Sequence, residues 1–414
     1  MARPARITVV TSGHLSTCPR MVKAADALAE AGYDVSVVAT RHERWATAAD
    51  VDARSRRIWP VDVVDYQRGS GSTYWRTGAE HRAARAAVAA IGVERAPLPL
   101  VARAFARVHA PIVRAISAIP ADLIYGGTTG ALAAIAEAAR RSGTPYALDL
   151  EDFHSAETLG PGAPFIDALA TRVERDAMRN AVFVTTSSES IAEAYRERYG
   201  VGASVVHNTF PLPEQAPDFT RADPGMLRLY WFSQTIGPAR GLDEAVAALG
   251  RSGVRAELVL RGRAHDGYLD ALKGLAAAHA PQVTIIHQPP AAPDAMVDLA
   301  RGFDVGLALD HGAPHNRTLC MANKPFTYIL AGVAVAMFDT PGQHDLGIDF
   351  GRGAALVPSG DVDALAGAFA RWAADPAALD CAKRTAWQAA VRRWHWEHDA
   401  ERGTLYRLVR EALS

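Results

Sequence analysis

One beat recurs along nearly the whole chain: a short run of β-branched and aliphatic residues, a polar loop, a segment of helical period rich in alanine and leucine, then another apolar run. It begins with RITVVTS, GHLSTCPR, MVKAADALAEAG and YDVSVVAT, and it returns at ADLIYGG, YALDLED, VFVTTSS and SVVHNTF. Apolar runs without alternation suit strands covered on both faces, and strand, helix, strand units of this kind join parallel strands. The first half is therefore expected to be a doubly wound α/β domain.

The stretch FPLPEQAPDFTRADPG, residues 210–225, interrupts the beat with prolines and acidic residues and has the composition of a linker. Beyond it, LRLYWFSQ, AELVLRG, VTIIHQ, DVGLALD and VAVAMFD read as the strands of a second series. At 414 residues the chain exceeds what one hydrophobic core usually supports. The expectation is two Rossmann-like α/β domains facing across a cleft, with ligands held beyond the carboxyl ends of the strands.

Charge and cysteine content exclude several classes. The 44 basic and 45 acidic side chains balance, which removes the electrostatic footprint of a nucleic-acid binder. Cys18, Cys320 and Cys381 are too few for a disulfide framework or a four-ligand zinc site, so a reducing cytoplasm is expected. MARPARITVV is too short an apolar stretch for a signal peptide, and no run reaches the roughly 18 apolar residues of a membrane span. Residues 76–117 carry seven arginines against two glutamates on an alanine-rich background. They read as a solvated helical face or as a patch for peripheral contact with an anionic membrane or a charged acceptor.

Four loops carry the residues that could do chemistry. TSGHLSTCPR places Gly13 between a strand and a helix start, where backbone amides can hold an anion. FSQTIGPARGLDEAV places Gly237 and Arg240 in the same situation in the second series. In NRTLCMANKPFTYILAG, Asn316, Arg317, Asn323 and Lys324 precede an apolar helix with Pro325 at its first position. A cation at a helix N-terminus is unfavourable unless an anion sits beside it. Two such mouths in one domain suit a diphosphate, with no metal required. Finally, DLEDFHSAE, residues 149–157, should emerge at the carboxyl edge of the first sheet.

These blocks resemble the GT-B glycosyltransferases, and among them the large retaining family that includes glycogen synthase and the phosphatidylinositol mannosyltransferases. The resemblance rests on PRMVKAADALAEAGYDVSVV, FSQTIGPARGLDEAV and FDVGLALDHGAPHNRTLCMANKPFTYILAGVAVAMFDTPGQ and spans nearly the whole chain. It implies an N-terminal acceptor domain over 1–209, a linker over 210–225, a nucleotide-sugar donor domain over 226–385, and a terminal helix over 386–414 that crosses back. It implies that Arg240 and Lys324 bind the donor diphosphate opposite Gly13, and that His154 lies by the sugar. Asp152 and Glu157 would orient the acceptor hydroxyl, and His287 would approach the nucleotide base.

The family signature carries a pair of glutamates, and here Leu319 and Thr327 stand in their places. Thr327 offers the donor a neutral hydrogen bond only. Asp310, Asn316 and Arg317 in DHGAPHNR are then the remaining donor contacts. The implied activity is transfer of a sugar from a nucleotide-sugar to a saccharide, lipid-linked or small-molecule acceptor, with retention of configuration. Polysaccharide or glycoconjugate synthesis is the expected setting, with neither metal nor cofactor and no nucleic-acid partner. The alternatives are a catalytically silent nucleotide-sugar or glycan-binding subunit, and a nucleotide-sugar epimerase or hydrolase. The paired tryptophans Trp394 and Trp396 near the end are expected to pack rather than bind sugar.

Overall fold

The computed structural model describes residues 3–220, 223, 225–312 and 314–414. The expected linker, 210–225, contains three residues outside this set. Two parallel sheets organise the chain. The first comprises β1 (Arg6–Thr11), β2 (Asp34–Arg41), β3 (Val61–Asp65), β4 (Leu123–Gly127), β5 (Tyr146–Leu150), β6 (Val184–Thr186) and β7 (Ser204–Val205), in the order β3-β2-β1-β4-β5-β6-β7. The second comprises β8 (Leu227–Ile236), β9 (Ala256–Ala264), β10 (Val283–Gln288), β11 (Val305–Ala308), β12 (Ala334–Asp339) and β13 (Ala354–Pro358), in the order β10-β9-β8-β11-β12-β13. Strands β3 and β13 were not visible as strands in the sequence. Both lie at a sheet edge, and their partly exposed sequences, VDVVD and AALVP, lack the long apolar run that marks a central strand.

The chain forms two compact units, one of residues up to Val206 together with Arg402–Ser414, the other His207–Glu401. The segment that rejoins the first unit is therefore shorter than 386–414, because the helix Pro376–Arg392 packs within the second. Most of the proline-rich stretch also belongs to the second unit: Phe210 is buried, and a side chain at Gly332 would lie 2.3 Å from Pro217. Trp394 is buried in the same unit, its ring 5.6 Å from Phe326 and 5.1 Å from His207. Glu401, fully buried, accepts from the His207 amide at 2.6 Å and contacts its Nδ1 at 2.9 Å.

The central strands are apolar along their length because helices cover both faces. Leu227, Leu229 and Trp231 of β8 point into one layer with Leu242, Val246 and Leu249 of the helix Leu242–Ser252, while Tyr230 and Phe232 point into the other with Phe326 and Tyr328. Each such side chain contributes on the order of 1.5–3 kcal/mol through burial. Gly306 on β11 leaves room for the Tyr328 ring, which an added Cβ would meet at 2.2 Å.

One polar element is embedded in the first unit. Arg20, in the first turn of the helix Pro19–Glu30, is 5% exposed. Its Nε and Nη2 each donate to one oxygen of Asp149 at 2.7 Å, and Nη1 donates to the Val206 carbonyl. The carboxylate offsets the unfavourable placement of a cation at a helix start and ties β5 to the last strand of the sheet. Arg20→Ala should strand Asp149 as a buried uncompensated charge and destabilise the first unit by about 3–5 kcal/mol. A urea-unfolding midpoint equal to that of the unaltered chain would contradict this.

Candidate functional site

In an open parallel sheet the ligand crevice lies where adjacent strands send their connections in opposite directions. That point falls between β1 and β4 in the first sheet and between β8 and β11 in the second. Among the described residues, two other than glycine have left-handed backbone, Thr128 with φ 69° and Ala239 with φ 57°. Thr128 follows β4 and Ala239 follows β8, so each stands at one of these points. Such backbone costs on the order of 1–3 kcal/mol and tends to accumulate where function requires it.

In the second unit the loops after β8 and β11 meet through charge. Lys324 Nζ donates to Asp310 Oδ2 at 2.6 Å, and Arg240 Nη1 donates to Asp310 Oδ1 at 3.2 Å. Lys324 and Asp310 are 5% and 6% exposed. Arg317 Nη1 donates to the Ala239 carbonyl at 2.6 Å, closing the strained turn. Burial alone would raise the pKa of Asp310, but Lys324 and Arg240 outweigh it and hold the carboxyl below its ordinary value. Burial and the neighbouring charge of Arg240 both lower the pKa of Arg317. Three cations thus surround a single carboxylate, leaving an excess of two positive charges. Lys324 and Arg240 keep further N–H donors beyond those given to Asp310.

The turn itself depends on Gly241, which has φ 73° and whose Cβ would fall 2.3 Å from the Leu309 Cβ and carbonyl oxygen. The glycine that the turn requires is thus Gly241 and not Gly237, where a side chain would meet ordinary contacts from 3.5 Å outward. Asp243 and Glu244 occupy the first turn of the helix that follows and satisfy its dipole, while Arg240 turns to Asp310. The helix carrying Lys324 begins at Asn323, so Pro325 is its third residue and not its first. No intrahelical donor is lost, because the first four amides have no acceptor there.

Other expected donor residues are placed differently. Thr327 is fully buried and its hydroxyl donates to the Asn323 carbonyl at 3.3 Å, so it does not present that hydroxyl at the surface of the unit. Asn316 is buried in the short helix His315–Leu319, and Leu319 packs as an apolar residue. His287 is the penultimate residue of β10, an edge strand two positions from β8, and its Nε2 contacts the Gly262 carbonyl at 2.8 Å. The sequence reading overlooked Trp231. Its ring centroid is 5.5 Å from Lys324 Nζ, and its buried Nε1 has no hydrogen-bond partner among the described residues.

In the first unit the loops after β1 and β4 are pinned together: the Ser12 amide donates to Thr128 Oγ1 at 2.8 Å, and the Gly130 amide donates to Ser12 Oγ at 3.1 Å. Gly13 is required here, since a Cβ would sit 2.5 Å from Cys18 Sγ. Beyond β5, His154 Nδ1 lies 3.0 Å from Glu157 Oε1 and 3.1 Å from Thr129 Oγ1. His154 is 4% exposed and its Nε2 has no hydrogen-bond partner among the described residues. Burial would lower its pKa, but Glu157, Glu174 and Asp152 outweigh that and raise it to about 9. The same contact holds Glu157 below the ordinary carboxylate value, against the opposing effect of burial. His154 is thus an imidazolium at neutral pH and offers Nε2–H as a charged donor. Asp152 is half-buried, and its carbonyl accepts from Tyr195 at 3.0 Å.

With this geometry in view, the likenesses to known proteins can be stated. Residues 19–209 match the family model of the glycosyl transferase 4-like domain. HepE from Anabaena, solved with UDP-glucose, superposes with a TM-score of 0.65 at 17% identity over 99% of both chains. Sucrose-phosphate synthase from Thermosynechococcus elongatus gives 0.65 at 16% over 99% of this chain and 100% of its own. A glycosyltransferase from Rickettsia africae gives 0.65 at 11% over the whole of both. No curated protein matches by sequence. Residues 19–209 are thus similar to a glycosyl transferase 4-like domain, and the chain as a whole has the GT-B fold.

The His154 and Glu157 pair sets a testable pH window. A histidine whose folded pKa lies above 6.5 stabilises the fold fully below pH 6.5, and that contribution disappears as pH rises through about 9. Glu157→Gln removes the counter-charge, so the His154 midpoint followed by NMR should fall toward the ordinary histidine range. A midpoint that stays near 9 would show that Glu157 does not hold the proton there.

Proposed function

We propose that this chain is a glycosyltransferase that takes a sugar from a nucleoside diphosphate donor and passes it, with retention of configuration, to an acceptor hydroxyl in glycoconjugate or polysaccharide synthesis. The observation that carries the reading is the convergence of Arg240 and Lys324 on the two oxygens of Asp310, with Arg317 beside them. The surplus of positive charge matches a dianionic diphosphate. Cations already in position stabilise the charge that develops on the departing phosphate more than the charge of the intact donor, which lowers the barrier. HepE, with the same fold, has been solved with UDP and with UDP-glucose, so UDP-sugars are the first donors to test.

Retention is favoured by the chemistry of the groups present. An inverting transfer needs a general base on the acceptor hydroxyl, and Glu157 raises the pKa of His154, which disfavours the imidazole in that role. Asp310 is ion-paired through both oxygens and is a poor nucleophile. The leaving phosphate oxygen is then the acceptor of the hydroxyl proton, on the same face as the departing bond. His154 Nε2–H would donate to an acceptor held by the first unit, with Glu157 fixing the ring. No metal is called for, since guanidinium and ammonium neutralise the leaving group.

Arg240→Ala and Lys324→Ala should each lower turnover by about a hundredfold or more, measured as release of nucleoside diphosphate that depends on added acceptor. Each should also abolish the thermal stabilisation given by UDP. A loss below threefold in both variants would reject the assignment. Release of diphosphate without any acceptor would instead indicate a hydrolase, and UDP binding without turnover a silent binding subunit. The anomeric configuration of the product, read by NMR, decides retention.

No described helix is long and apolar enough to cross a membrane. We propose peripheral contact with an anionic bilayer through the arginine-rich region, where Arg76, Arg103 and Arg114 are exposed and Trp75 is 69% exposed. Charge reversal at these three arginines should release the protein from phosphatidylserine vesicles in a sedimentation assay, and unchanged sedimentation would remove this contact from the account.

A further inference from the structure

The first unit contains a cavity of about 870 Å³ whose lining shares no residue with the His154 cluster. Its walls come from the loops after β2 and β3 and from Tyr74 and Arg107, residues that the sequence reading did not associate with one another. Three guanidinium groups line it, Arg44, Arg68 and Arg107, against one carboxylate, Glu43. Among the described residues none of the three is within ion-pair distance of an acidic group. The Arg107 guanidinium carbon is 4.4 Å from the ring centroid of Tyr74 and 5.4 Å from that of Tyr66, and the group donates from Nε to Thr77 Oγ1 at 3.1 Å and from Nη2 to the Tyr74 carbonyl, leaving Nη1 free of any such bond among the described residues. On the other side of Tyr66 the His42 ring stacks at 5.2 Å. Trp45 leaves 44% of its surface open beside this stack.

The cavity is fixed before any ligand arrives. His14 Nε2 accepts from the backbone amides of His42 and Glu43 at 3.1 and 2.9 Å, and its Nδ1 lies 2.5 Å from Asp50 Oδ2. Arg44 Nη2 donates to the Arg68 carbonyl at 3.1 Å, and Gln67 Nε2 donates to Thr47 Oγ1 at 3.0 Å, so the two loops hold each other. Since His14 follows the β1 turn directly, the cavity adjoins the loop that faces the crevice of the same sheet. A preformed site avoids much of the ordering cost of binding.

We propose that this cavity binds an anionic saccharide, a sugar ring bearing a carboxylate or a phosphate group. Aromatic faces take the C–H face of a sugar ring by burial of apolar area. Unpaired guanidinium forks take an anionic group and flanking hydroxyls in bidentate fashion. A neutral aromatic ligand would leave three cations unmatched, and a bare anion would leave the rings unused. The volume lies within the roughly 300–1,000 Å³ typical of small-molecule sites. The preference for a saccharide over a nucleotide, and the role of the ligand as glycosyl acceptor, rest on the transferase reading, in which the nucleotide belongs to the Asp310 cluster. The binding itself does not depend on that reading.

The test is a set of calorimetric or NMR titrations of the full chain without donor, using methyl glucuronide, glucose 6-phosphate, methyl glucoside, inorganic phosphate and UMP. At least one of the first two should bind ten times more tightly than methyl glucoside and than inorganic phosphate, and whichever does identifies the anionic group. Arg44→Ala combined with Arg68→Ala, both at exposed positions and checked by circular dichroism, should weaken that binding tenfold or more. Trp45→Ala should weaken methyl glucoside and the charged sugar alike. Equal binding of charged and neutral sugars, UMP binding as tightly as the best sugar, or indifference to the double variant would overturn the proposal. Arg240→Ala should leave the sugar titration unchanged while it abolishes UDP binding, so failure at this cavity and failure of the donor site are read separately.

Discussion

Every strand pairing in both sheets is parallel. Parallel strands send all their carboxyl ends to one edge, so each strand, however far apart in sequence, delivers its following loop to the same side. That constraint brings Arg240, Asp310 and Lys324 together from the ends of β8 and β11 and the next helix. It also brings Ser12, Thr128, Thr129 and His154 together from three loops of the first sheet. The residues between these loops are occupied with covering the sheet faces, and chemistry is left to the edge.

Within that frame, the two clusters are each organised by a carboxylate. Asp310 holds two cations apart from each other by binding both, and in doing so keeps their like charges within a few ångströms. Glu157 does the converse for His154, keeping a proton on a ring that burial alone would strip of it. In each case the carboxylate fixes both the position and the charge of its neighbour.

Much of this was legible in the sequence. The uninterrupted apolar runs gave the central strands, and the cations placed against helix dipoles singled out Arg240 and Lys324 without any partner in view. The partner was not legible, since Asp310 read as one more donor contact among several. Thr327 was misplaced because spacing to a glycine fixes a position along a helix, and the packed neighbours decide whether its hydroxyl is covered. The cavity around Tyr66 and Arg107 was missed for a different reason. Its residues lie in separate loops, and Arg107 was counted among a run of surface arginines, although its guanidinium lies against Tyr74 and Tyr66 in the cavity wall. A tryptophan and two arginines just beyond strand ends were the available signal.

The Gly241 turn has a further implication for the donor site proposed around it. Its backbone is pressed against Leu309 so closely that no side chain fits, and the neighbouring Ala239 is held in a conformation that a free peptide rarely visits. The loop therefore surrenders its freedom during folding, and a ligand held there as proposed would inherit none of that loss. A mould of this rigidity recognises by admission: a guest that fits enters unopposed, and one that does not finds nothing willing to yield.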